Sequence, residues 1–253
     1  MNRLMNRLMK PAAPALLLLT ACLATAAGAQ SGRELIEESL RRHAPPASVY
    51  EEQTLILSDP QGHYTVRTAR RYARHDANGS TDLLVMETPA ESKGAAIYVD
   101  REAAGGVRRG TAASSPVFGS NFSVSDLEEE QARNFTYERD DDHDLDRVPH
   151  FVLRALPADE SVARATEYRQ RRIYLRKDNL FISRIDYKDS EGRLARRQTF
   201  RDPRPDESGI WRPDMILMED LRDGRRTLLK VERRVHSPDY VPASVFAGIP
   251  GRS

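Results

Sequence analysis

One cysteine, Cys22, is the only sulfhydryl in the chain. A disulfide framework is therefore excluded, and the fold must rest on its buried core. An excess of charge of either sign is missing too: 39 basic residues face 38 acidic ones, for a formal charge of +1. That balance gives no electrostatic case for nucleic acid or for a polybasic membrane patch. The sequence also lacks a repeat of fixed period. It shows no nucleophile in an activating motif, which weighs against the common hydrolases.

The amino end sets the compartment. A basic stretch, "MNRLMNRLMK", precedes the apolar "PAAPALLLLTACLATA", and "AGA" before Gln30 has the small-x-small form of a signal-peptidase site. The expected organisation is a signal peptide over residues 1–29 and an exported, periplasmic mature chain over residues 30–253. A second reading is that "LTAC", Leu19 to Cys22, is a lipobox and the protein is a lipoprotein anchored through Cys22. Removal of residues 1–29 takes away Arg3, Arg7 and Lys10, leaving a mature charge of about −2.

"SGRELIEESLRRHA" predicts a helix, with Ser31 and Glu34 as a capping box, Leu35, Ile36 and Leu40 on one face, and Pro45–Pro46 ending it. The period then changes to two. "SVYEEQTLILSD" and "HYTVRTARRYARH" flank a "PQG" turn as a hairpin, in which Tyr64, Val66 and Tyr72 share a greasy face while Arg67 and Arg71 point to solvent. Further strands follow in "TDLLVMET", "AAIYVD", "HFVLRAL", "EYRQRRIYLRK", "LFISRIDYKD", "RLARRQTFRD", "MILMEDLRD" and "RRTLLKVERRV". Ten or so strands without intervening long helices predict a mainly β chain built on a single meandering antiparallel sheet that must curl. "DPRPDESG" reads as a surface loop, and "VPASVFAGIPGRS" as a tail anchored by Val245 and Phe246.

The side chains expected on the inner face are Leu55, Leu57, Tyr64, Val66, Leu84, Met86, Ile97, Val99, Ile173, Leu175, Phe181, Ile185, Tyr187, Met215, Leu217, Leu229 and Val231. Alternation alone favours a filled core over a cavity lining. In "VFGSNFSVSDLEEE", Ser125 and Glu128 form a second capping box, which predicts a short helix from Asp126 through "LEEEQAR". Its acidic first turn disfavours an anion site, and the missing second glycine excludes a nucleophile elbow. "ERDDDHDLDRVPH" has calcium-loop spacing at Asp142, Asp144 and Asp146, but Arg147 stands where a glycine is needed. It reads as a solvated acidic loop between strands, with no metal.

The mid-chain "GSNFSVSDL" resembles a motif of the LolA-like outer-membrane lipoprotein-sorting family, typically "GSDFSYEDL" there; Gly119, Ser120, Phe122, Ser123, Asp126 and Leu127 match it. The order of strands around it, over roughly residues 48 to 248, is also similar. The resemblance implies a single LolA-like domain over residues 30–253. Its fold would be an unclosed half-barrel, one curved antiparallel sheet with a few short helices covering the concave face. It implies a non-catalytic periplasmic carrier, without cofactor, that holds lipid or lipoprotein acyl chains in an apolar groove and passes them towards the outer membrane. The inner-face residues above, with Phe122, would then bind lipid. The implied protein is a monomer with transient membrane contact, and its expected partners extend to an envelope transporter of the resistance-nodulation-division type. Glycine- and alanine-rich "DREAAGGVRRGTAASSP" departs from the family and predicts a looser rim or lid from Ala103 to Ser115. Two alternatives stand beside the carrier: an accessory protein that docks on such a transporter with a filled core, and a hydrolytic enzyme using scattered carboxylates or His63, His75, His143, His150 and His236.

Overall fold

A computed structural model of the chain describes residues 30–102, 107–127, 130–165 and 168–247. The expected signal peptide and Cys22 lie outside the described residues, as do Glu128 and Ala103 to Gly106 of the rim.

Helix α1 (Gly32–Arg42) begins as its sequence dictates. The Ser31 hydroxyl accepts from the Glu34 amide, and the Glu34 carboxylate accepts from the Ser31 amide at 2.8 Å. Leu35 and Ile36 are fully buried. The strands follow as β1 (Ser48–Ser58), β2 (Tyr64–Asp76), β3 (Gly79–Thr88), β4 (Ala96–Glu102), β5 (Val107–Gly110), β6 (Phe135–Leu145) and β7 (Val148–Pro157). A short helix, α2 (Glu160–Ala165), leads to β8 (Gln170–Arg176), β9 (Ile182–Lys188) and β10 (Leu194–Arg201). The two-residue strands β11 (Arg204–Pro205) and β12 (Trp211–Arg212) precede β13 (Met215–Asp220) and β14 (Arg226–Val235). The "DPRPDESG" loop therefore carries a small hairpin of its own.

Twelve strands form one antiparallel sheet in the order β5-β4-β3-β2-β1-β14-β13-β10-β9-β8-β7-β6. It is not a single meander. Two meanders meet at the β1–β14 pair, where Leu55 lies opposite Leu229, and a crossover over residues 111–134 joins the β5 edge to the β6 edge. The reason is visible in the crossover's own residues. Val117, Phe118, Phe122 and Val124 are buried in the same cluster as Leu55, Leu84 and Leu229, so the connection packs along the concave face. Helix α1 covers the remainder of that face, with its Ser39 hydroxyl donating to the Leu180 carbonyl at 2.7 Å.

A second, smaller core lies on the convex face. Tyr50, Leu83 and Tyr98 are covered there by Val241 and Phe246 of the carboxy-terminal segment, as the tail reading expected.

Three local expectations change. Among the described residues Val124–Leu127 is a single 3-10 turn and not the start of a helix at Asp126; its cap is Ser123, whose amide and hydroxyl donate to the Asp126 carboxylate, and not Ser125. The acidic "loop" is mostly strand, since β6 runs to Leu145 and the turn consists of Asp146 and Arg147 at positive φ. On β2 the faces are exchanged, while Leu55 and Leu57 of β1 face the concave core as expected. Leu55 lies opposite Arg67 and Glu51 opposite Arg71, so the arginines and Ala69 and Ala73 share the concave face, while Tyr64 and Val66 are 71% and 45% exposed on the other.

Candidate functional site

The concave face encloses a cavity of about 890 Å³. Strands β1, β9, β10, β13 and β14 supply its wall, α1 and the crossover its cover, and the β11–β12 hairpin one side. Trp211 of that hairpin lines the space. Arg212 beside it donates to the carbonyls of His43 and Ala44 at 2.9 and 2.6 Å, tying the hairpin to the end of α1.

The expected inner-face residues divide into four groups. Phe122, Phe181, Ile185, Tyr187, Leu229 and Val231 line the cavity. Leu84, Ile97 and Val99 line a separate recess of about 30 Å³ beneath Val117 and Val124. Leu55, Leu57, Met86, Ile173 and Leu175 belong to the concave-side core, with Leu55, Ile173 and Leu175 fully buried. Tyr64, Val66, Met215 and Leu217 point to the convex face. For β13 the alternation is one residue out of phase with expectation, because Ile216 and Met218 pack into the concave core.

The cavity is less apolar than an acyl groove read from the sequence. At one end Glu51, nearly buried, lies opposite Arg71 on β2 and Arg234 on β14 and pairs with both, at 3.5 and 2.7 Å. Arg71 continues the row to Asp82 on β3 at 2.6 Å. Burial opposes the charge of Glu51, but the two guanidiniums outweigh it and hold the carboxyl below its ordinary pKa. Burial likewise opposes the charge of Arg71, and Asp82 and Glu51 reverse that, leaving it firmly protonated. Gln53 donates to Glu51 at 2.7 Å, and its own buried carbonyl oxygen has no hydrogen-bond partner.

At the other end Arg196 pairs with Asp126 at 2.6 Å, both almost fully buried, and donates to the Tyr168 hydroxyl at 2.6 Å. Gln198 donates to the Asp126 carbonyl and accepts from Tyr187, at 3.0 and 2.8 Å. Burial raises the Tyr187 hydroxyl well above its ordinary pKa. The "GSNF" stretch is thus a staple. Gly119 takes φ +69°, as a non-glycine residue rarely would, and Asn121 donates from its amide to Thr227 on β14 at 3.1 Å. Between the charged ends lie Leu229, Val231, Ile216, Phe200 and Phe181.

Sequence reasoning missed Glu51, Arg71, Arg196 and Arg234, although the signal was present. Glu51 and Gln53 extend the alternation of Leu55 and Leu57 backwards along β1, so the same face had to carry them. Among the described residues no three His, Cys, Asp or Glu side chains converge on a metal-binding geometry. In the acidic hairpin, Asp142 is held by Arg139 and Lys177.

Comparison with solved structures supports this architecture. An outer membrane lipoprotein-sorting protein domain from Vibrio parahaemolyticus is 19% identical with a TM-score of 0.72, over 83% of this chain and 95% of that one. A DUF1329 family protein from Desulfovibrio piger is 19% identical with a TM-score of 0.70, over 86% and 99%. A LolA superfamily protein from Nitrosomonas europaea is 16% identical with a TM-score of 0.63, over 86% and 100%. The comparison with curated proteins gives no match. A family model described as "Uncharacterized protein" matches residues 77–247; the chain belongs to that family, and its fold is LolA-like.

Proposed function

We propose that the protein is a non-catalytic periplasmic carrier that holds acyl chains of a lipid or lipoprotein in its concave cavity and delivers them towards the outer membrane. The observation that carries this reading is the cavity itself. A close-packed interior has few voids larger than a water molecule, whereas this half-barrel keeps about 890 Å³ open, within the range of ligand pockets. Each methylene buried there stabilises the complex by about 0.8 kcal/mol, so the apolar waist suffices for affinity without cofactor or bond chemistry. Organic extraction of the purified protein followed by mass spectrometry tests it. Recovery of a stoichiometric acyl lipid is expected, and a lipid-free protein that also takes up no alkyl-chain probe would end the carrier reading.

A docking role on an envelope transporter is favoured by a different feature. Val66, Ile56, Leu228 and Leu217 lie in register across four strands of the convex face, all at least partly exposed. Such a contiguous apolar row suits an interface. Val66→Asp and Leu217→Asp should then abolish association with the transporter without changing lipid content; intact association would remove this role.

A further inference from the structure

The charge of the cavity is not the charge of the chain. The whole sequence balances 39 basic against 38 acidic residues, yet eight arginines and five carboxylates line the cavity. No lysine is among them. A guanidinium is a planar fork that matches the oxygens of a carboxylate or phosphate two at a time, and it stays charged when desolvated. A space meant only for acyl tails gains nothing from such groups, because burying charge costs free energy that pairing with a carboxylate or carbonyl at best offsets.

The arginines are also placed where a headgroup would meet them. Arg71 and Arg234 flank Glu51 at one end of the apolar waist. Arg212 reaches that end from the β11–β12 hairpin, held by two backbone carbonyls, and Arg234 also donates to the Pro213 carbonyl at 3.0 Å. Val231, one of the waist residues, is three positions from Arg234 on β14 and directly opposite Gln53, whose amide is already turned to Glu51 at 2.7 Å. An apolar tail along the waist would therefore bring its polar end to Arg212 and Arg234.

Resting on the carrier reading, we infer that the cavity selects an amphiphile with an acidic headgroup, phosphate or carboxylate, set against Arg212 and Arg234 with its chain along Val231, Ile216 and Phe181. The sole tryptophan, Trp211, lines this space and reports on its occupancy.

Tryptophan fluorescence titrations of the purified, delipidated protein test the inference with hexadecyl phosphate, hexadecanol, hexadecylammonium and inorganic phosphate, each below micelle formation. Hexadecyl phosphate is expected to bind at least about tenfold more tightly than the neutral and cationic probes, and Arg212→Gln to cut that ratio to under about threefold. Equal binding of the three alkyl probes would overturn the headgroup inference and leave the carrier standing. Failure of every alkyl probe to bind would overturn both. Inorganic phosphate binding as tightly as hexadecyl phosphate would replace the amphiphile with a free anion. Should Arg212→Gln fail to fold, the ranking of probes on the parent protein decides alone.

Discussion

The Arg196–Asp126 pair allows a sharp test of what the "GSNF" motif does. Arg196→Met keeps the aliphatic stem between Tyr168 and Tyr187 but removes the guanidinium that meets Asp126 at 2.6 Å. Two unit charges about 4 Å apart attract by about 4 kcal/mol at an effective dielectric near 20. Desolvation of both ions costs a comparable several kcal/mol, so the intact pair contributes little net stability. The single variant is another matter. Asp126 remains 4% exposed and keeps only the donors of Ser123, so an uncompensated carboxylate stays buried. A loss of about 3 to 5 kcal/mol is expected.

The cycle is completed by Asp126→Ala and by the double variant. If the pair holds the crossover to β10, the double variant should lose less than the sum of the two single losses, with a coupling of about 2 kcal/mol. Urea unfolding of the four proteins measures it, with equal m-values showing that the unfolded states are comparable. A single-variant loss below about 1 kcal/mol, or strict additivity, would refute the staple: the crossover would then be held by its buried Phe122 and Val117 alone.

Three further outcomes follow from the same geometry. Gly119→Ala should cost about 1 to 2 kcal/mol because its φ is +69°, and it should do so with lipid binding retained in the folded fraction; unchanged stability in the urea transition would contradict this. Val231→Phe, facing the cavity, should lower capacity for alkyl chains while stability stays within about 1 kcal/mol, whereas Leu175→Phe in the closed core should cost about 1 to 3 kcal/mol; equal costs would mean that no void exists. Burial lowers the pKa of His43, His75, His150 and His236, so the unfolded chain binds more protons than the folded one below the ordinary histidine value. Stability should thus be full above about pH 6.5 and fall as pH drops through and below that value, with a second loss below about pH 4 as Glu51, Asp186 and Asp220 are protonated; a midpoint unchanged from pH 7.5 to 5 would contradict the first part.

The sheet was legible because local patterns settle it. Turn chemistry and period-two alternation mark strands without reference to the rest of the chain, and the capping box of Ser31 and Glu34 closes within four residues. Facing was legible only where one side of the sheet meets water. Around β2 and β3 both sides are covered, the concave one by the crossover and the convex one by Val241 and Phe246, so apolar residues appear at both phases and alternation loses its meaning. Tyr64 and Val66 then look interior by type, although the strand end that carries them projects past the convex cover.

The cavity's charge escaped for a related reason. A carboxylate on a strand reads as solvent-facing unless its partner is known, and the partners of Glu51 stand 20 and 183 residues away along the chain. Pairing Glu51 with Arg71 requires only the hairpin register, which a two-stranded alignment supplies. Its second partner, Arg234, requires knowing that β1 lies beside β14, and that adjacency exists because the crossover sends the chain to the far edge of the sheet. Phe122 and Val117 drive the crossover across the concave face by burying themselves there. The same burial that forms the cavity's cover therefore also creates the strand pair that charges its wall, so any variant that frees the crossover should disturb the Glu51–Arg234 end as well as the Asp126–Arg196 end.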